Sequence, residues 1–478
     1  MTLPTHLFKF GGSSVGSVEA IRAVTDIVAP HVSSHRLVVV VSAMSDVTDE
    51  LLRGAALAMA GDGEGYPRIA AQIEHRHALT SAALVNDPVE RAALASERAH
   101  WLSAYGNWCR AIHTLGDSPP RTLDAIAAVG ERLSAPQVAA ALRASGINAE
   151  VVDAAKLIRT NDRFGAAVPL PSESHQQIKT QLAPLLARGI VPVIPGFLAA
   201  NRAGQTTTLG RGGSDYSAAI IGAALAVDEV RFYKEVDGIL TTDPRIVPEA
   251  RLVRTIGYEE LSELTHFGAT VLHPRTIQPL IEAAITVRIM NTFNPHAPGT
   301  LVAADQATSE AEAGIKAVTA LRDVTLVRVR GTAPFETLPL VGRTFAALAR
   351  LDVPLLLLSQ GSAKQQFCFA IPSAQAASVH ALLSREFSGD RQGIGPEILI
   401  EENAVIVSAI GGAIQRMPRS AERLFAALNQ GGATIQPMAV ALSEHALTFV
   451  VADYQADAAL RAIHALTMPN DARLGKAA

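Results

Sequence analysis

Leu37-Val38-Val39-Val40-Val41, closed by Ser42, is a β-branched run with no polar member. A strand exposed on one face alternates apolar and polar residues. One buried on both faces does not, and that is the mark of a parallel sheet covered by helices on each side. Residues Ile190 to Ile194 and Glu229 to Tyr233 read as strands of the same sheet. Alanine-rich helical stretches lie between them, notably Ala135 to Ala144 and Tyr216 to Ala226. Strands alternating with helices predict an α/β sandwich with right-handed crossovers.

The 478 residues exceed what one hydrophobic core organises, so about two or three domains are expected. Charged residues make up 18% of the chain and the mean hydropathy is +0.22, values of a packed globular protein rather than a disordered one. A net charge of -4 gives no reason to invoke nucleic acid or a membrane surface. Two distant cysteines, Cys109 and Cys368, argue for a reducing compartment and against a disulfide scaffold. The N-terminus lacks the apolar stretch of a signal peptide, and no run approaches the ~20 residues that span a bilayer. A cytoplasmic protein is expected.

Residues from about Asp49 to about Leu115 read as a helical excursion from the sheet, and Ala303 to Gly314 as a linker. Beyond it, Val324 to Val329, helical Val341 to Leu351, Leu355 to Ser359 and Gln366 to Ile371 give β-α-β-β. Val405 to Ile410, Ser420 to Gln430, Thr434 to Val440 and Leu447 to Val451 give that order again. Tandem units of this kind predict a duplicated ferredoxin-like module.

Two glycine-rich loops carry the chemistry. Lys9-Phe10-Gly11-Gly12-Ser13-Ser14-Val15-Gly16-Ser17 follows a short strand, and Thr206 to Asp215 contains Gly210-Arg211-Gly212-Gly213-Ser214. Glycine lets backbone N–H groups approach an anion, and a loop feeding a helix adds a favourable dipole. Two such loops suggest a site for two anionic substrates. The first is not a Walker A loop, because the GxxxxGK[ST] spacing is missing. The Arg211 guanidinium, held in a glycine bend, suits bidentate recognition of a carboxylate. Asp215 stands where a helix is expected to begin, as an N-cap. In Gly130-Glu131-Arg132-Leu133-Ser134-Ala135-Pro136, the serine and proline read as a helix start, with Glu131 just ahead and placed to receive an ammonium group. Lys234 to Arg245 is punctuated as turns by Asp237-Gly238 and Asp243-Pro244. Arg245 could reach phosphates and Lys234 to Leu240 could line a base pocket, but a hairpin with solvated charges is the commoner explanation of such spacing. His273, before Pro274, reads as a structural histidine. There is no HExxH or paired His/Cys spacing for zinc and no GxSxG elbow.

Taken together, residues 9–15, 130–134, 207–215 and 236–245, with Val271 to Ile277 and Asn294 to Thr300, resemble the motifs of aspartate kinases, in that family's order. The resemblance covers essentially the whole chain. It implies an amino-acid kinase α/β/α sandwich over 1–304, followed by two ferredoxin-like ACT α+β domains at 315–398 and 399–478. It also implies ATP-dependent phosphorylation of the side-chain carboxylate of L-aspartate, the first step of the aspartate-derived amino-acid pathway. By the resemblance, Lys9 neutralises the transferring phosphoryl group and Asp215 orients Lys9. Arg211 clamps the aspartate α-carboxylate, Glu131 receives its α-ammonium, and Thr48, Phe197 and Ser214 complete the pocket. Gly11, Gly12, Ser13, Lys234, Glu235, Leu240 and Arg245 would hold ATP, accompanied by Mg²⁺. A homodimer or homotetramer is implied, with an amino-acid effector at the ACT domains.

The chain departs from the family pattern in several places. Asp46 stands where glycine is common, Phe197-Leu198-Ala199 replaces Phe-Ile-Gly, Leu240 replaces an aromatic, and Thr270 replaces a lysine expected near the ATP phosphates. Leu356 falls where lysine-sensing members present an acidic residue, so weak or no inhibition by lysine alone is expected; the tandem units resemble the threonine-regulated branch more closely, which implies threonine as the effector instead. The alternatives are another amino-acid kinase, of the glutamate or N-acetylated amino-acid type, and a degenerate kinase kept as an amino-acid sensor.

Overall fold

The computed structural model describes residues 3–268, 272, 274–303, 314–331, 337–351, 353–360, 366–388, 396–412, 420–432 and 440–467. The chain forms two compact units, one of residues 1–239 with 272–304 and the other of residues 240–271 with 305–478.

In the first unit, strands β1 (Thr5–Phe10), β2 (Arg36–Val41), β3 (Ala149–Val151), β4 (Val191–Pro195), β5 (Glu229–Lys234), β6 (Thr286–Asn291) and β7 (Thr300–Ala303) lie in the spatial order β3-β4-β2-β1-β5-β6-β7. The pairings from β3 to β6 are parallel, and β7 runs antiparallel to β6. Every residue of β1 is buried, as are Leu37 to Val41 of β2, which is why these strands lack alternation. One face packs Phe8, Phe10, Val39 and Val41 against helices α1 (Val18–Val28) and α6 (Val129–Ala144). Helix α8 (Gly213–Leu225) packs on β1, β2 and β5, beside α7 (Pro171–Ala187) and α10 (Pro274–Glu282). Helices α2 (Val47–Met59), α3 (Gly65–Leu84), α4 (Pro88–Leu115) and α5 (Pro120–Ala127) form the helical excursion, around a core that includes Leu51, Ile73, Tyr105 and Ile126.

Two local expectations are corrected. Helix α6 starts at Val129, so Glu131 lies in its first turn and Pro136 inside it. Its residues from Val129 to Leu142 are all buried, and packing outweighs the local stop and start signals. Ser134 does not cap the helix. Its hydroxyl donates to the Ser42 carbonyl at 2.6 Å. Asp215 is not an N-cap either, because Gly212 takes that position and Asp215 sits in the first turn of α8.

The second unit holds α9 (Tyr258–His266) and strands β8 (Ala317–Arg330), β9 (Leu357–Gln360), β10 (Gln366–Pro372), β11 (Glu397–Ile410), β12 (Val440–Leu442) and β13 (Ala446–Ala452). Their order is β9-β10-β8-β11-β13-β12. Helices α11 (Thr337–Leu348), α12 (Ala376–Phe387), α13 (Ser420–Gln430) and α14 (Asp453–His464) complete it. The two long strands are shared. Val324 to Arg330 pair with β10, and Leu326 to Arg330 with Glu397 to Glu401. Ala317 to Leu321 pair instead with Ile406 to Ile410, which pair onward with β13. The cores divide likewise. Val327 and Val329 pack with Phe367, Phe369 and α12, whereas Val318 packs with Val405, Val407, Phe449 and α14. In chain order the inner half is β-α-β-β-α-β, whereas the outer half is one early strand followed, after the inner half, by β-α-β-β-α, so the inner half is nested within the outer. Thr434 to Met438, part of an expected strand, lie outside the described residues, as do Thr270, His273 and linker residues 304–313. No helix among the described residues is long and apolar enough to cross a membrane.

Candidate active site

The carboxyl ends of parallel strands leave N–H groups, loops and helix starts facing a common crevice. Here a cavity of about 580 Å³ opens at the ends of β1, β2 and β4. Its walls gather Lys9, Thr48, Glu131, Phe197, Arg211, Ser214 and Asp215, the catalytic and substrate-binding candidates of the sequence. Ser42, Leu52, Leu123, Asp124, Ala127, Gly165 and Thr208 also line it.

Lys9 is 3% exposed near the end of β1. Its Nζ lies 2.5 Å from Asp215 Oδ1, and the Lys234 Nζ lies 2.7 Å from Oδ2. One carboxylate thus holds two ammonium groups and leaves a net positive charge. Burial pushes Lys9 down to about 8, against the pull of Asp215. Burial also acts to raise Asp215, but Lys9 and Lys234 outweigh it and bring Asp215 to about 2. Glu131 is 4% exposed, and burial raises it to about 7 despite the Ala43 N–H, Lys9 and the Ser214 hydroxyl. Its Oε2 is buried with no hydrogen-bond partner among the described residues. A buried carboxylate oxygen left open in this way suits a cationic ligand.

The loop around Arg211 is built by its glycines. Gly212 has φ 71°, which ordinary side chains rarely adopt. A Cβ on Gly213 would stand 2.7 Å from the Phe197 ring, so glycine permits that contact. Phe197 itself has φ 68°, held by its N–H to Ser217 Oγ at 3.0 Å and by the Leu209 N–H to its carbonyl at 2.9 Å. Strain of this kind concentrates at functional sites. Asp46, ahead of α2, also has φ 69°, a conformation that glycine adopts without strain.

The nucleotide candidates are more scattered. Gly11, Gly12 and Ser13 form the turn after β1, with the Gly11 N–H on the Tyr233 carbonyl at 3.4 Å. Arg76 of α3 pins this loop to its neighbour, donating to the Gly16 carbonyl at 3.0 Å and the Ser45 carbonyl at 2.7 Å. No sequence signal marked Arg76, nor Asp124, which binds Thr208 and Gly165 far along the chain. Glu235 is exposed just after β5. Leu240 and Arg245 belong to the second unit. There Leu240 bridges Leu252, and exposed Arg245 pairs with Asp243 at 2.6 Å. Among the described residues, the one group of three clustered metal-ligating side chains, Glu259, Glu444 and His445, is also in the second unit.

Comparison with known proteins gives a consistent picture. Residues 5–291 match the amino acid kinase family, and residues 407–466 match an ACT domain. A chloroplastic bifunctional aspartokinase/homoserine dehydrogenase of Zea mays is 32% identical over 95% of this chain and 50% of its own length. The chain thus spans about half the length of the plant relatives it matches. An aspartokinase of Saccharomyces cerevisiae is 28% identical over 96% of this chain and 91% of its own. Among solved structures, Escherichia coli aspartokinase III in complex with aspartate and ADP has a TM-score of 0.78 at 26% identity, covering 96% of this chain and 99% of that one.

Proposed function

We infer that this chain, which belongs to the amino acid kinase family, acts as an aspartate kinase. It would transfer the γ-phosphoryl group of ATP to the side-chain carboxylate of L-aspartate, giving 4-phospho-L-aspartate and ADP. One observation carries the reading: the cavity is charged oppositely at two places. The open Glu131 oxygen and Arg211 match the ammonium and carboxylate of a free α-amino acid. The Lys9–Asp215–Lys234 group supplies net positive charge where a phosphoryl group would arrive.

In this mechanism the substrate's side-chain carboxylate, ionised at pH 7, attacks the γ-phosphorus in line, and the bond to the β,γ-bridging oxygen breaks as ADP leaves. No general base is needed. Lys9 would draw off the charge on the equatorial oxygens, and Asp215 would keep its ammonium aimed and protonated. Thr48, Phe197 and Ser214 would fix the substrate backbone. Gly11, Gly12, Ser13, Lys234 and Glu235 are proposed for the nucleotide. Mg²⁺ would be held largely by the phosphate oxygens, since both Asp215 oxygens are engaged by lysines.

We place the catalytic domain at 1–304 and ACT-like regulatory domains at 315–398 and 399–478, the latter two sharing strands through β8 and β11. A homodimer or homotetramer is proposed, with threonine favoured over lysine as effector because Leu356 offers an ammonium no partner. The deciding experiment couples ADP release to NADH oxidation with aspartate, glutamate and N-acetylglutamate as acceptors, each with hydroxylamine trapping of the acyl phosphate. Turnover with aspartate and none with the others is expected. Turnover only with glutamate or N-acetylglutamate, or amino-acid binding with no turnover, would overturn the reading.

A further inference from the structure

Three buried carboxylates line the cavity, Glu131, Asp124 and Asp215, and they differ in what their oxygens do: those of Asp215 meet Lys9 and Lys234. Glu131 keeps Oε2 open. Asp124, 3% exposed on α5, has both oxygens occupied. The Gly165 N–H approaches Oδ1 at 2.9 Å and Oδ2 at 3.0 Å, the Thr208 N–H donates to Oδ2 at 2.9 Å, and the Thr208 hydroxyl donates to Oδ1 at 2.9 Å. Asp124 is therefore saturated and poorly suited to receive a ligand's ammonium.

What it holds is the approach to Arg211. Thr208 ends the strand that runs through Leu209 into the Gly210 bend. Gly165 lies on the facing loop, whose Ala167 N–H donates to the Thr208 carbonyl at 2.8 Å. Gly210 has φ 75° and packs so closely on that loop that a Cβ would stand 3.3 Å from the Gly165 carbonyl oxygen. Arg211 itself is exposed and has no hydrogen bond or ion pair among the described residues. Among the described residues nothing clamps its guanidinium from the side, so its reach is set by the backbone on which it stands. We propose that Asp124 is a positioning residue for substrate recognition. By tying Thr208 and Gly165 to one buried carboxylate, it fixes the backbone that presents Arg211 to the substrate carboxylate. The inference rests on the proposed role of Arg211.

The test is steady-state kinetics of the full chain with a double-mutant cycle. Asp124→Asn puts an amide NH₂ against backbone donors. It is expected to raise the aspartate KM about tenfold while leaving the ATP KM within about twofold. In the Arg211→Ala background the same change is expected to move the aspartate KM by less than about twofold, because the group it places is gone. Thr208→Val removes only the hydroxyl contact. It is expected to raise the aspartate KM about threefold, and it carries the comparison if Asp124→Asn does not fold. An unchanged aspartate KM in folded Asp124→Asn overturns the proposal. An equal rise in both backgrounds overturns it in favour of direct contact between Asp124 and substrate. An Arg211→Ala variant with an unchanged aspartate KM overturns the Arg211 reading itself, a result read from that single variant.

Discussion

Replacing Glu131 with glutamine should make the free protein more stable and unable to use aspartate. The side chain is buried, and its carboxyl group is raised from about 4.5 to about 7. A folded-state value above the unfolded one means that the folded protein holds the proton more tightly. The resulting stability is fully present below about pH 4.5 and is lost as pH rises through about 7. At roughly 1.4 kcal/mol per pKa unit, the ionised carboxylate costs about 3 kcal/mol at pH 8, as an order of magnitude. Glutamine keeps the volume and an acceptor for the Ala43 N–H, and it is neutral throughout. Without ligand, Glu131→Gln should melt roughly 5–10 °C above the parent at pH 8 in the transition of the catalytic part, and close to it near pH 4.5. Adding aspartate should raise the parent's melting temperature, by about 2.7 kcal/mol of stabilisation at a hundredfold excess over Kd, and leave the variant unmoved. Scanning calorimetry at both pH values, with and without aspartate, measures all of this. A variant no more stable than the parent at pH 8 would refute the desolvation argument. A variant still stabilised by aspartate would refute the role given to the open oxygen.

The other expectations concern activity, regulation and assembly. The plot of kcat/KM for aspartate against pH should be a narrow bell, with an acid limb near 7 as Glu131 protonates and an alkaline limb near 8 as Lys9 loses its proton; a profile flat from pH 6 to 9 would count against both assignments. Asp215→Asn removes the partner that holds the Lys9 value up, so the alkaline limb should move to lower pH and kcat should fall at least about a hundredfold; an unmoved limb would show that Lys9 does not report it. Lysine alone should inhibit weakly, because an ammonium beside half-buried Leu356 gains no partner; sub-millimolar inhibition in a rate assay would mean that another site takes it. Light scattering at micromolar concentration should give a dimer or tetramer, and a strict monomer would contradict the proposed regulatory assembly.

Much of this site was legible in the sequence because its chemistry sits next to its punctuation. Lys9, Arg211 and Asp215 each lie in or beside a glycine-rich loop, and the cavity brings them together. The β-branched runs marked β2 and β4 because burial on both faces leaves no room for polar residues, whereas β5 keeps Glu229, Arg231 and Lys234 at half-buried positions. What escaped depends on distant partners. The start of α6 is decided by complete burial rather than by Ser134 and Pro136. Asp124 acquires its role only by meeting Gly165 and Thr208, and nothing in Leu123-Asp124-Ala125 announces those partners. The left-handed backbone at Asp46 and Phe197 could be suspected only at Asp46, where glycine is the residue that fits without strain. The nested regulatory halves read as consecutive units because a strand pattern names the strand and not its neighbour.

The exchanged strand also sets an order of events during synthesis. Residues Ala317 to Leu321 leave the ribosome before the inner half of the regulatory region, yet their partners, Ile406 to Ile410, are made only after that half is complete. At about 5–20 residues per second the early segment waits on the order of ten seconds without its partner strand. During that interval the inner half, whose strands Val324 to Arg330 and Gln366 to Pro372 are both already available, can close around Phe367 and Phe369. The outer half must assemble last, around a neighbour that is already folded. A nascent chain stalled before Ile406 should therefore expose an apolar edge containing Val318, a site for chaperone capture that the finished protein no longer offers.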